Sequence, residues 1–270
     1  MPSPLPPSLL ALCCFLCACR SPSNPSDDIR HESYIQSRHL FSANTEAAKR
    51  LTYIIFSAGP QFRATLDPHT GEIQWFADGK GFSSGLAVAF ETDGYLITAA
   101  HNLDATNFVF GLFNGKMDVK PARVVFKRVL GTHADFALIK TDARLDCCAV
   151  PSAEPNIDDP VFAVVCYRKD TQLTIDFAGG KVLGLSADPL GGGFDLIHTD
   201  VPLGHGDSGG ALLSISGLLV GINSGISYNW RKHWSDSFFP DTRTIQDLIA
   251  QDRLATEPTE SQKPMHSAPR

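Results

Sequence analysis

The sequence predicts an all-β protein: two six-stranded antiparallel β-barrels, joined by a linker and followed by a C-terminal helix. Three observations predict it. Short apolar runs broken by Gly- and Asp-containing turns fill the stretch from Leu51 to Lys140, which is the spacing of antiparallel strands. A second series of such runs follows from Val161 to Ser224. The one convincing helical period comes last. Two sets of strands, one linker and one terminal helix describe a pair of small barrels, although strand periodicity by itself fits a β-sandwich as well.

Taken in order, residues 1–19, "MPSPLPPSLLALCCFLCAC", carry no acidic or basic side chain, and Leu9–Ala18 is an unbroken apolar run of ten. That is the length of an export-signal core and too short to span a bilayer, although the usual Lys or Arg near Met1 is missing. "LCAC", Leu16–Cys19, resembles a bacterial lipobox. It implies membrane attachment through a lipidated Cys19, with a plainly cleaved leader as the alternative. Either leader places the expected protein in the bacterial cell envelope or outside the cell. Residues 20–50 read as a polar tether with room for one short helix.

From residue 51 to 256 the chain reads as one folded domain. The first barrel is expected over about 60–144, from "QFRATL", "EIQWF", "GLAVAF", "YLITAA", "NFVFGLF", "ARVVFK" and "DFALIK". "LDCCAVPSAEPNIDDP", Leu145–Pro160, has three prolines and scattered acids and suits a crossing between halves. The second barrel, about 160–240, draws on "VFAVVCY", "QLTIDFA", "KVLGLS", "FDLIHTD", "ALLSIS" and "LLVGINS". In "DTRTIQDLIAQDRLA", Asp241 can cap a helix whose apolar face is Ile245, Leu248, Ile249 and Leu254. Residues 257–270 are expected to be a disordered tail.

Composition removes several function classes. Hydrophobic residues are 43% and charged residues 19%, ordinary for a globular protein. The net charge is -6 and no Lys/Arg cluster occurs, so a nucleic-acid partner is not expected. Of seven cysteines, Cys147, Cys148 and Cys166 lie beyond the leader. At most one bridge, to Cys166, fits them, and buried packing is the simpler role. No histidine or acid stands at ligand spacing around them, so no metal is expected. Neither is an organic cofactor.

The stretch "GHGDSGG", Gly204–Gly210, holds one serine in a nearly bare turn. A serine that attacks an acyl carbon needs a base within reach, a carboxylate to orient that base, and donors for the oxyanion. Gly206 and Gly209 allow a sharp turn in which main-chain N–H groups converge beside Ser208. His101, in "GYLITAAHNL", stands at a strand end among small residues and is the candidate base. Asp135, in "THADFALIK", opens an apolar strand and is the candidate carboxylate, because a half-buried Asp needs partners.

In that order, "LITAAH", "DFALIK" and "GDSGG" resemble the three signatures of the trypsin-like (chymotrypsin-fold) serine peptidases. The intervals are 34 and 73 residues, and "LIHTDVPLGHGDSGGALLSISGLLVGINSGI" looks most like the protease domain of the HtrA type. The likeness runs from about Phe82 to Ala255. It implies an endopeptidase for peptide or protein substrates, with His101 as general base, Asp135 as its orienter and Ser208 as nucleophile. The N–H groups of Gly206 and Ser208 would form the oxyanion hole. Ser224 matches the serine that leans on the catalytic carboxylate and lines the substrate strand site.

The same likeness puts Pro202 at the base of the primary pocket and Ile226 where a glycine keeps that pocket open, which implies a small or medium apolar preference. Asn223 stands where glutamyl-specific relatives use a histidine. Departures matter too. No Ile-Val-Gly-Gly-like start precedes the first matching strand, yet Asp207 occupies the position that pairs with such a start, so a site formed without zymogen cleavage is expected. Asn102 replaces the cysteine that usually follows the histidine, and the tail is too short for a PDZ domain.

Two other readings compete. "GDSGG" also satisfies the G-x-S-x-G elbow of α/β-hydrolase esterases, but strands rather than a helix follow Ser208. A catalytically silent binding or scaffold protein of the same fold is the other. The remaining histidines, His31, His39, His69, His133, His198, His205, His233 and His266, carry no chemical signal in sequence.

Overall fold

Fourteen strands and two helices account for the regular structure in a computed structural model that describes residues 44–57, 63–66, 73–76, 83–103, 107–113, 116–128, 135–169, 172–187, 195–228, 233–238 and 241–256. The leader, most of the tether, the C-terminal tail, His31, His39, His69, His133 and His266 lie outside the described residues. Helix α1 (Thr45–Leu51) leads into β1 (Thr52–Ser57). It is anchored rather than loose. Ala48 and Leu51 are buried, and Asn44 Nδ2 donates to the Ile215 carbonyl at 2.7 Å.

The first barrel consists of β1, β4 (Ser83–Glu91), β5 (Tyr95–Ala99), β8 (Phe136–Thr141), β7 (Lys116–Lys127) and β6 (Asn107–Phe113), hydrogen-bonded in that order and closed by the β6–β1 pair. The second closes in the order β10 (Gln172–Ser186), β11 (Leu196–Thr199), β14 (His233–Phe238), β13 (Leu219–Tyr228), β12 (Ala211–Ser214) and β9 (Pro160–Lys169). Every ladder in both is antiparallel. Closure leaves no free edge on either sheet.

The strand assignments from sequence need correction in four places. "QFRATL" and "EIQWF" give β2 (Arg63–Leu66) and β3 (Ile73–Phe76), which pair only with each other and stand apart from the barrel. "TYIIFS", omitted from the expected set, supplies the missing barrel strand. In the second half "QLTIDFA" and "KVLGLS" are one continuous strand, β10, and "HWSDSF", absent from the expected set, is a strand. Its inward residues are serines, Ser235 and Ser237. Both are buried, and they donate to the Val201 carbonyl (2.5 Å) and Asn223 Oδ1 (3.2 Å).

Burial on both faces explains the continuous apolar runs. On β9, Val161, Ala163 and Val165 pack with Val182, Ile197, Leu212 and Val220. The alternate residues Phe162, Val164 and Cys166 join a larger cluster with Leu86, Ile97 and Phe136 of the first barrel. Phe136 and Phe238 meet edge to face across the two barrels, with centroids 5.9 Å apart. The 145–159 crossing is strapped to both halves: Ala149 N–H donates to the Ala89 carbonyl, and Ser152 N–H to that of Leu219, each at 2.8 Å.

Helix α2 (Thr242–Thr256) starts at Asp241, whose carboxylate accepts from Arg243 N (3.1 Å) and Thr244 Oγ1 (2.6 Å). Ile245 and Ile249 are buried and Leu248 packs against the core, but Leu254 is 73% exposed and is not part of the apolar face. The helix's last turns return to the first barrel. There the Asp252 carboxylate takes two hydrogen bonds from Arg123 (2.7 and 2.6 Å) and one from Tyr95 OH (2.8 Å).

Candidate active site

His101 sits in a single 3-10 turn, Ala100–Asn102, that ends strand β5. Asp135 immediately precedes β8, and the pairing of Ala99 with Phe136 sets the two side by side although 34 residues separate them. The contact is made three ways. Ala100 N–H donates to the Asp135 carbonyl (2.9 Å), His101 N–H to Asp135 Oδ1 (2.9 Å), and His101 Nδ1 meets Asp135 Oδ2. Because a carboxylate only accepts, this pairing assigns the imidazole proton to Nδ1 and leaves Nε2 as a base. The ring is 43% exposed and the Asp135 side chain 20%, so the dyad opens to solvent on the ring's side.

Ser224, on β13 of the second barrel, reaches across. Its hydroxyl donates to Asp135 Oδ2 at 3.0 Å, and its carbonyl accepts from Ser208 Oγ at 3.2 Å. One residue therefore touches both the Asp135 carboxylate and the candidate nucleophile. Among the described residues the Ser208 hydroxyl has this carbonyl as its partner, not the His101 ring.

The loop carrying Ser208 is fixed from below. Gly206 and Gly209 have φ of +96° and +84°, values that side chains disfavour. At Gly209 a Cβ would stand 1.9 Å from the Leu86 carbonyl oxygen and 2.4 Å from Thr98 Oγ1. Gly209 N–H donates to the Asn223 carbonyl (2.7 Å) and Gly210 N–H to that of Asp207 (3.0 Å). The Ser208 carbonyl accepts from Leu86 N–H and from Asn102 Nδ2, both 2.8 Å. The N–H groups of Gly206 and Ser208 donate to no acceptor among the described residues. Two donors without an acceptor among the described residues thus flank Asp207 in the chain.

Asp207 is buried, and its carboxylate is met by main-chain donors. Cys166 N–H donates to Oδ1 (2.9 Å) and Gly204 N–H to Oδ2 (2.7 Å). Cys166 is a free thiol, as are the half-buried Cys147 and Cys148. Burial, with the charge of Asp207 added, pushes the Cys166 thiol up to about 12, so it stays protonated and inert.

Two residues that sequence reasoning left out of the site belong to its frame. Asn102, read only as a missing cysteine, is buried and also donates to Thr98 Oγ1 at 3.2 Å. Thr98 in turn donates to the Leu86 carbonyl at 2.6 Å. Pro202 is half-buried between the buried Val201 and Leu203, on the segment entering the Ser208 loop. Ile226 follows Ser224 on β13, in register with Ser235. Asn223 is fully buried, donating to the Val164 carbonyl (3.4 Å) and accepting from Ser237. His205 is exposed beside the loop. His198, expected to be uninformative, has an Asp on one ring nitrogen and a Ser on the other.

Residues 84–222 match the family profile of the trypsin-like peptidase domain. A curated relative named serine endoprotease DegS, from Salmonella typhimurium (strain 14028s / SGSC 2262), is 31% identical over 150 residues, 52% of this chain and 39% of its own. One named probable periplasmic serine endoprotease DegP-like, from Pseudomonas savastanoi pv. phaseolicola (strain 1448A / Race 6), is 27% identical over 150 residues, 53% of this chain and 29% of its own. The chain thus spans about two-fifths or less of the length of these relatives. Among solved structures, the active form of Rv3671c protease from M. tuberculosis superposes with a TM-score of 0.57 at 17% identity, covering 83% of this chain and 89% of that one. That likeness is one of fold. With the profile spanning half the chain and containing His101, Asp135 and Ser208, this protein belongs to the trypsin-like peptidase family.

Proposed function

We propose that the protein is a serine endopeptidase of chymotrypsin-like fold that hydrolyses peptide bonds through an acyl-enzyme on Ser208. His101 Nε2 takes the proton from the Ser208 hydroxyl as it attacks the scissile carbonyl carbon. The oxyanion is held by the N–H groups of Gly206 and Ser208. His101 then protonates the departing amine and activates the water that releases the acyl group. Asp135 holds the ring's tautomer and stabilises the imidazolium. The observation that carries this reading is the bridge made by Ser224, which brings Asp135 of one barrel and Ser208 of the other onto a single residue.

Asp207 supports a site that needs no zymogen cleavage, since main-chain N–H groups of Cys166 and Gly204 take the place of a newly formed amino terminus. Pro202, Ser224 and Ile226 line the substrate site in this reading, with a small or medium apolar residue preferred before the scissile bond. The apolar leader, a periplasmic relative and the "LCAC" stretch favour a bacterial envelope location, free or anchored through Cys19.

One observation favours a silent scaffold instead: the Ser208 hydroxyl faces the Ser224 carbonyl rather than the imidazole. Contacts between a nucleophile and its base often tighten only when substrate binds. Fluorophosphonate labelling decides between them. Labelling of the parent but not of Ser208→Ala, together with casein hydrolysis, is the expected result. A folded parent that neither labels nor cleaves establishes the scaffold.

A further inference from the structure

His198 lies on β11, between strands that each supply it a partner. Its Nδ1 meets Asp236 Oδ1 of β14 at 2.6 Å, and its Nε2 meets Ser186 Oγ, at the end of β10, at 2.8 Å. The carboxylate assigns the ring proton to Nδ1, so Nε2 accepts the Ser186 hydroxyl proton. Carboxylate, imidazole and alcohol therefore stand in line, as a general base acting on a nucleophile requires. Nothing in the Ser208 site uses any of the three.

The surroundings leave this alcohol reachable. Ser186 is exposed, and the His198 and Asp236 side chains are 27% and 19% exposed. Across four adjacent strands one row reads Gly184, His198, Asp236, Gly225. A Cβ at either glycine would meet nothing within 4 Å. The His198–Asp236 pair thus has open space at both flanking glycines, and the Ser186 residue is exposed. Two strand-borne side chains and a strand end also fix the geometry more firmly than a loop does.

We propose that Ser186, His198 and Asp236 form a second acylatable site, which takes an acyl group from activated acyl esters. Ser186 Oγ attacks the ester carbonyl carbon while its proton passes to His198 Nε2, and Asp236 accepts the Nδ1 hydrogen bond of the resulting imidazolium. The bond from carbonyl carbon to the leaving oxygen breaks, and the leaving alcohol or phenol departs with the proton from His198. The product is an ester on Ser186. The proposed step is this single acylation, in which the acyl group stays on Ser186. This distinguishes the site from a turnover centre.

The test uses the full chain carrying Ser208→Ala, which removes the candidate peptidase nucleophile and keeps the two readings independent. The protein is treated with p-nitrophenyl acetate, and acetylated residues are located by peptide mass spectrometry. Ser186 is expected to be acetylated about a hundredfold faster than exposed Ser216, the low end of general-base assistance. In Ser208→Ala/His198→Gln that advantage is expected to vanish, with the melting temperature recorded to show the fold is kept. Acetylation of Ser186 no faster than that of Ser216 in Ser208→Ala overturns the proposal, and needs no further variant. An advantage that survives in folded His198→Gln overturns it as well.

Discussion

Replacing Asp207 by alanine removes the two acceptors that hold Cys166 N–H and Gly204 N–H at 2.9 and 2.7 Å. A hydrogen bond to a charged group contributes about 1.5–3 kcal/mol, so the gross loss is about 3–6 kcal/mol. Relief of the buried charge offsets part of it. A net loss of about 3 kcal/mol lowers the melting temperature by about 6–12 °C for a domain of this size. Asp207→Asn keeps the volume but sets its amide N–H against one of the two main-chain donors, so about half that shift is expected. The loop is released along with the anchor at Gly204. Fluorophosphonate labelling of Ser208 should therefore slow about a hundredfold in Asp207→Ala, the size of effect seen when one oxyanion donor is lost. Thermal unfolding and labelling kinetics on the same samples measure both effects. Unchanged melting and unchanged labelling in Asp207→Ala would refute the idea that this buried carboxylate organises the loop.

Gly209→Ala should cost about 4–5 kcal/mol and abolish labelling, because its Cβ would collide with the Leu86 carbonyl. Gly217→Ala, at a nearly equal φ of +82° but with the Asn44 side chain as nearest neighbour, should cost only the conformational penalty of about 1–2 kcal/mol; urea midpoints compare the two. Ser224→Ala removes the 3.0 Å donor to Asp135 and should lower kcat about tenfold with KM little changed, the equivalent of about 1.4 kcal/mol, in steady-state peptide hydrolysis. Hydrogen bonds from Arg123, and after them from Tyr95, hold the Asp252 carboxyl below its ordinary range. The stability this contributes is present above the unfolded carboxyl value of about 3.9 and is lost as pH falls through the lower folded one. Parent protein should therefore lose melting temperature below about pH 4 by more than Asp252→Ala does.

The parts of the site that were legible in sequence are those written in side chains on well-patterned strands. "YLITAAH" and "DFALIK" are buried strands that carry the resemblance to the peptidase signatures, and their pairing in the structure sets His101 beside Asp135. The glycines around Ser208 announce a turn with positive φ. What stayed hidden was held by groups that leave no letter. Asp207 is met by main-chain N–H donors, which almost every residue carries. "HWSDSF" was unreadable because its inward positions are serines satisfied by a distant carbonyl and by Asn223 rather than apolar side chains. With β14 unseen, the partner of His198 was unseen too, since Asp236 lies on it. Asn102 looked like a lost disulfide, whereas it holds the Ser208 carbonyl.

In the proposed reading the chemistry is divided between the two barrels. The imidazole and its carboxylate ride on one barrel, the alcohol and its bridge to that carboxylate on the other, and the 145–159 crossing laces the two along their seam. Neither half owns a complete cutting tool. On that reading a nascent or partly melted chain is blunt by construction, and its own exposed segments stay safe from it until the seam shuts.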